Sequence, residues 1–177
     1  MPMIRKLLYL GVLAGIGWAG LAMPVSAQPA ATVPTLGLGP GFHDPRSPFK
    51  PLQEREGVLT WQMLSAVTTK ADKNRLIPVF PAAVQALDKQ KVKVQGFMMP
   101  LEPGDKQRHF LLSSVPTSCA FCVPAGPEGL IEVRTRQPVR YSLEPVVVEG
   151  VLAVLNDDPY GMFYRVLEAQ AVNAGSN

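Results

Sequence analysis

The stretch Lys91-Val92-Lys93-Val94-Gln95-Gly96-Phe97-Met98 decides the fold. Charged or amide side chains at 91, 93 and 95 alternate with apolar ones at 92 and 94, which is the period of two of a half-buried strand. Gly96 interrupts it, and a glycine inside a strand marks a bulge or a sharp bend. Val146-Val147-Val148-Glu149-Gly150 repeats the outline and opens a long β-forming run to Leu155. Long strands kinked at glycine are what a small closed barrel needs where a strand passes its corner.

Outward from this core, Pro103-Gly104 suits the centre of a type II turn, and His109-Phe110-Leu111-Leu112-Ser113 returns as the partner strand. Leu130-Ile131-Glu132-Val133-Arg134 reads as a third strand, and Tyr141 and Leu143 fit a short extended piece. Asn156 to Gly161 is dense with turn formers, and Met162 to Val172 reads as the last strand. Toward the N-terminus, Thr60 can cap a short helix carrying Trp61, Leu64 and Val67 on one side. Ala71 to Leu76 is charged and reads as a loop. Phe80-Pro81 opens a second short helix with proline at its first position and Val84 and Leu87 facing inward. The expected architecture is therefore mainly β: a small five-stranded barrel of the oligonucleotide/oligosaccharide-binding type with two short N-terminal helices. A small open β-sandwich is the alternative. An α/β fold is disfavoured because no long helical pattern separates the strands.

The first residues read as a targeting signal. Arg5 and Lys6 precede an apolar run from Leu7 to Ala22, and Val25-Ser26-Ala27 offers a small-residue cleavage site. Residues 1–27 are expected to be removed after Ala27, which makes the mature chain periplasmic; an uncleaved anchor is the other reading. The formal charge of the whole chain is +3, from 17 basic and 14 acidic residues, and removal of Arg5 and Lys6 leaves it near +1. No positive stripe is present, so nucleic acid is not an expected partner. Residues 28–56 form a Pro/Gly-rich arm without apolar periodicity, expected to be disordered, in which His43 and Asp44 read as solvated. Residues 57–173 make one domain, and 174–177 a frayed tail.

Both cysteines lie in Ser118-Cys119-Ala120-Phe121-Cys122-Val123-Pro124, between the second and third strands. Three chemistries compete there. A thioredoxin-like site needs a helix N-terminus to lower the thiol pKa, and Val123-Pro124-Ala125-Gly126-Pro127 cannot continue as a helix. A Cu(I) or Zn(II) clamp suits two thiolates from one tight turn. Zinc normally takes four ligands, so further donors would come from His109, ten residues before Cys119, or from Met98, Met99, Glu102 or Glu128. A local disulfide is the plain structural reading, persistent in an oxidising compartment and worth on the order of 2 kcal/mol or less for so short a loop. The residues leave clamp and staple on equal footing.

Trp61 and Leu64, then Leu87, Val92 to Glu102 and Phe110-Leu111-Leu112, resemble a family of exported bacterial proteins of unknown function. That family carries a cysteine, a closely following histidine and then Val-Pro, where this chain has Cys119-Ala120-Phe121-Cys122-Val123-Pro124. Histidine in place of Cys122 would ligate a metal but could not form a disulfide, so the resemblance tilts the loop toward metal. No activity comes with it. The expectation is thus a non-enzymatic periplasmic protein that binds or hands on zinc or copper through Cys119, Cys122 and His109. Its partner would be another envelope protein or a metal transporter. An envelope binding or assembly module with a Cys119–Cys122 disulfide is the alternative, and a thiol redox protein the lesser one.

Overall fold

A computed structural model describes residues 39–73 and 75–172. The signal reading of residues 1–27, the first part of the arm and the tail from 174 lie outside the described residues. The elements run α1 (Trp61–Leu64), β1 (Thr68–Asp72), β2 (Arg75–Val79), α2 (Ala82–Gln85), β3 (Lys91–Pro100), β4 (Lys106–Ser113), β5 (Leu130–Arg140), β6 (Val146–Val154) and β7 (Tyr164–Val172). A 3-10 turn, Pro127–Gly129, leads into β5.

Five strands close into a barrel in the order β3-β4-β5-β7-β6. Every pairing is antiparallel except β5 with β7. That order, with the third and last barrel strands parallel, is the oligonucleotide/oligosaccharide-binding arrangement expected from the sequence, and the open sandwich is not formed. The two kinking glycines sit where closure requires them. β3 pairs with β6 up to Gly96 and with β4 from Phe97, so the strand changes partner at the glycine. A Cβ on Gly96 would meet the Ser113 carbonyl oxygen at 2.9 Å, and Trp61 covers the spot from outside. The β6–β7 register shifts between Glu149 and Val151, and the backbone of β7 passes directly over Gly150.

The inward residues of the barrel strands, among them Val94, Phe110, Leu112, Ile131, Val133, Val148 and Val166, form one core that also takes in Leu64, Phe80 and Val84 from the N-terminal segment. Thr60 caps α1 by accepting from the Met63 N–H, and Leu64 is the buried residue of that helix. The Trp61 indole donates to the Gln95 carbonyl at 2.8 Å. Buried Tyr164 donates to the Leu64 carbonyl at 2.6 Å, which ties α1 to the last strand; burial pushes its phenol pKa well up. Gln107, fully buried, satisfies its amide on Glu102 and Gly104 and so shapes the β3–β4 turn, in which Gly104 takes a φ of +103°.

Three sequence expectations are corrected. Ala71 to Leu76 is no loop: β1 and β2 form a hairpin paired from Thr68–Val79 to Asp72–Arg75. All of β1 is exposed, so no alternation marks it. Pro81 is the residue before α2 rather than its first position, with Val84 buried as expected. Tyr141 and Leu143 form no separate strand, because β5 itself runs to Arg140. The β4–β5 register breaks between Gln107 and His109, and residues 135–138 take up the slack. Pro138 falls in that slack, where no ladder hydrogen bond is asked of it.

Candidate functional site

Two places carry the polar chemistry of this fold. The first is the cysteine loop between β4 and β5. Cys119 and Cys122 are joined as a disulfide, with Cα atoms 5.4 Å apart, and Cys119 is buried. The loop turns on itself through Cys119 N–H to Pro116 and Cys122 N–H to Cys119. The later part of the arm lies along it. Phe42 and Val123 exchange both backbone hydrogen bonds, at 3.0 and 2.9 Å, and Gly126 donates to the Gly39 carbonyl. Gly39 N–H donates to the buried Glu128 carboxylate at 3.1 Å, and Ser114 Oγ to the Pro40 carbonyl. Gly41, at φ +80°, has the Val123 carbonyl 2.9 Å from where a Cβ would stand, so only glycine admits the loop this close. Arg46 grips Asp44 with two nitrogens and lies over the Phe121 ring, 4.8 Å from its centre. The hydrogen bonds from Arg46 hold the Asp44 carboxyl down to about 2.

His109 is elsewhere. Its side chain points outward from β4, on the face formed with β5 and β7, and its Nε2 meets Glu132 Oε1 at 2.8 Å. Glu132 also accepts from Arg134 Nε at 2.9 Å and from Arg165 Nε at 2.5 Å. Arg165 reaches on to Asp158, whose second oxygen accepts from the backbone of Tyr160 and Met162 in the β6–β7 loop. Burial pushes the Glu132 carboxyl up, but the hydrogen bonds from Arg165, Arg134 and His109 outweigh it and hold the group below the usual carboxylate range. Asp158 is likewise lowered: burial raises it, and the Met162 N–H, Arg165 and Tyr160 N–H more than compensate. Above the cluster lies a cleft of about 350 Å³, walled by Leu101, Leu111, Tyr160 and Met162.

Of the three expected ligands, the structure brings Cys119 and Cys122 together and sets His109 on a carboxylate instead. Bonded sulfurs carry no thiolate, so a clamp at this loop would belong to the reduced chain. Among the described residues no group of three or more His, Cys, Asp or Glu side chains has metal-holding geometry. The members of the outer cluster that sequence reading missed are Glu132, Arg134, Asp158 and Arg165. The signal was partial. Glu132 and Arg134 flank inward Val133 as outward residues must, but their meeting with Arg165, 33 residues after Glu132, depends on the parallel β5–β7 register.

The class of protein is thus a small closed five-stranded barrel with a disulfide-tied loop between its second and third strands, and with no helix among the described residues long and apolar enough to cross a membrane. The family model for the DUF3299 proteins, described as proteins of unknown function, matches residues 25–172, and this chain belongs to that family. It is similar to a DUF3299 family protein from Pseudomonas aeruginosa PAO1 whose crystal structure was determined at 2.45 Å, with 26 % identity and a TM-score of 0.41. That match covers 51 % of this chain and 66 % of the other, so it spans just under two thirds of the solved protein. No curated protein matches the chain.

Proposed function

We propose that this chain is a non-enzymatic binding or assembly module of the bacterial envelope, in which the Cys119–Cys122 disulfide is structural. The observation that carries the reading is the use made of the cysteine loop. Its sulfurs are spent on each other, and its backbone is spent on the arm through Phe42–Val123 and Gly39–Gly126. A loop engaged in this way holds shape rather than offering ligands. The barrel then supplies a rigid frame whose outer β4–β5 face and framing loops are the surface that barrels of this architecture use for binding. Export to the periplasm, with cleavage after Ala27, completes the proposal; it is supported by the charged, apolar and small-residue pattern of residues 1–27.

The rival function is metal handling: zinc or copper held by reduced Cys119 and Cys122. A thiol titration on denatured protein prepared without reductant, with and without chelator, separates the two. The binding module gives no free thiols, and metal content is the same for the wild type and a Cys119→Ser/Cys122→Ser variant. Two thiols unmasked by chelator, with about one equivalent of metal lost in the double variant, would replace the proposal with the metal reading. Turnover in an insulin-reduction assay would replace it with a redox one.

A further inference from the structure

We propose that the cleft on the outer face of β4, β5 and β7 docks an acidic, leucine-like linear segment of a partner protein. In this arrangement one carboxylate seats on Arg134, and neighbouring apolar side chains lie against Tyr160, Leu101 and Met162. The inference rests on the binding-module reading above and names the face and the chemistry of what is bound.

The first ground is the way Glu132 is used. It projects from the outside of the barrel, yet its side chain keeps only 7 % of its exposure. Burying a carboxylate is costly unless its oxygens are bonded, and here both are, by His109 and Arg134 on Oε1 and by Arg165 on Oε2. Three of its roughly four acceptor positions are taken and the group is buried beneath its donors, so its main part is positioning. By holding Arg134 through Nε alone it ties down one edge of the guanidinium and leaves the other edge turned to solvent. The two terminal nitrogens of Arg134 have no hydrogen-bond partner among the described residues, and the side chain stays 57 % exposed. Arg165, by contrast, is committed to both Glu132 and Asp158 and belongs to the frame. Among the charged groups that line the cleft, Arg134 is thus the one with ionic donors to give.

The second ground is the apolar rim. Tyr160 is 87 % exposed and Leu101 48 %, and they come from the two loops that frame the strands. The Tyr160 loop is held by two backbone hydrogen bonds to Asp158, itself anchored by Arg165. An exposed tyrosine on a fixed loop offers large contact area at low ordering cost. Tyrosine and arginine are also the residues in which interface energy concentrates.

The occupant follows from the donors and acceptors. A neutral saccharide asks a site for exposed acceptors as well as donors, and here the carboxylate at the floor is buried, which leaves the Tyr160 hydroxyl as an acceptor beside a half-exposed cation. A nucleic acid asks for a track of cations, and this chain exceeds neutrality by only three charges over 177 residues. A carboxylate matches the planar fork of the two terminal guanidinium nitrogens with two parallel hydrogen bonds. β4 and β5 are each paired on both sides, so a segment binds here through its side chains and not by adding a strand.

The test uses three probes added to the ¹⁵N-labelled mature chain with its disulfide intact. They are an end-capped hexapeptide alternating leucine and glutamate, its leucine–glutamine counterpart, and a neutral N-acetylglucosamine tetramer. The glutamate peptide is expected to shift the amides of Leu111, Arg134, Tyr160 and Met162, less so as salt is raised, while the other two probes leave them in place. Arg134→Gln should weaken that binding about tenfold or more, the weight of a charge-assisted pair, with Arg134→Lys intermediate. Tyr160→Ala should also weaken it, and Lys70→Gln on the β1–β2 hairpin should not. Amide spectra of all variants outside the cleft should match the wild type. Silence toward the glutamate peptide at millimolar concentration overturns the inference, as do equal shifts from the glutamine peptide or full binding by Arg134→Gln. Shifts from the tetramer alone overturn the acidic segment while sparing the binding module. Two thiols unmasked by chelator would instead remove the binding-module reading whatever the peptides do.

Discussion

Replacing Gly150 by alanine should destabilise the barrel through one measurable collision. The new Cβ would stand 2.6 Å from the Leu167 carbonyl oxygen, 2.7 Å from a Val166 methyl and 3.0 Å from the Ala169 Cα. Ordinary contact begins near 3.4 Å, so the β7 backbone, which bulges opposite Gly150, would have to withdraw by about 0.8 Å. β7 cannot do so alone, because its other edge is paired with β5. Forcing one carbon into a packed site costs about 1–3 kcal/mol, and backbone neighbours on two sides put this case near the upper end. For a domain of this size that is a fall of roughly 6–10 °C in Tm. Gly161→Ala is the control. Its φ of +74° strains any other residue, but no atom lies within 4 Å of the added carbon, so it should cost only about 1 kcal/mol. Urea titrations of the two variants and the wild type decide the matter. A Gly150→Ala chain as stable as wild type, or less affected than Gly161→Ala, would refute the reasoning.

Tyr164→Phe removes the donor to the Leu64 carbonyl and leaves that buried oxygen unpaired, which should cost about 1–2 kcal/mol in urea titration with the barrel intact. Reducing Cys119–Cys122 should lower stability by about 2 kcal/mol or less, since the loop it closes is short. Amide exchange at Phe42 and Val123 should nevertheless quicken before that of the core, and unchanged protection there would show that the arm does not depend on the bond. Glu132 has its pKa lowered on folding, so its contribution is present above its unfolded value, near 4.5, and is lost as pH falls through the folded value. The stability gap between wild type and Glu132→Gln should therefore be open at pH 7 and close below about pH 4.5; a gap independent of pH would disprove the linkage.

The barrel was legible because its strands carry two marks at once. Val92 and Val94 mark the inward face, and Gly96 and Gly150 mark the places where β3 changes partner and where β7 bulges opposite β6. The β1–β2 hairpin carries neither mark. With every β1 side chain exposed, alternation has nothing to report, and the charged residues from Ala71 to Leu76 look like any loop. The cysteine loop was legible as a set of alternatives, since two cysteines at this spacing suit a clamp and a staple equally. Its contact with the arm was not, because Phe42 and Val123 are far apart in sequence and meet through two backbone hydrogen bonds that no side chain announces. His109 read as a donor near the sulfurs because it leads into their loop. Strand direction sets it on the outer face, and register gives it Glu132.

The last barrel strand among the described residues is inserted between two strands that precede it in the chain. β7, Tyr164–Val172, separates β5 from β6, so a chain lacking those residues has two unpaired edges and a core open along its length. Its parallel pairing with β5 is formed across about 30 residues of intervening chain, a slow kind of contact to make. The barrel therefore closes only once β7 is in place. Docking of that one strand is the step at which four strands and two open edges become a barrel.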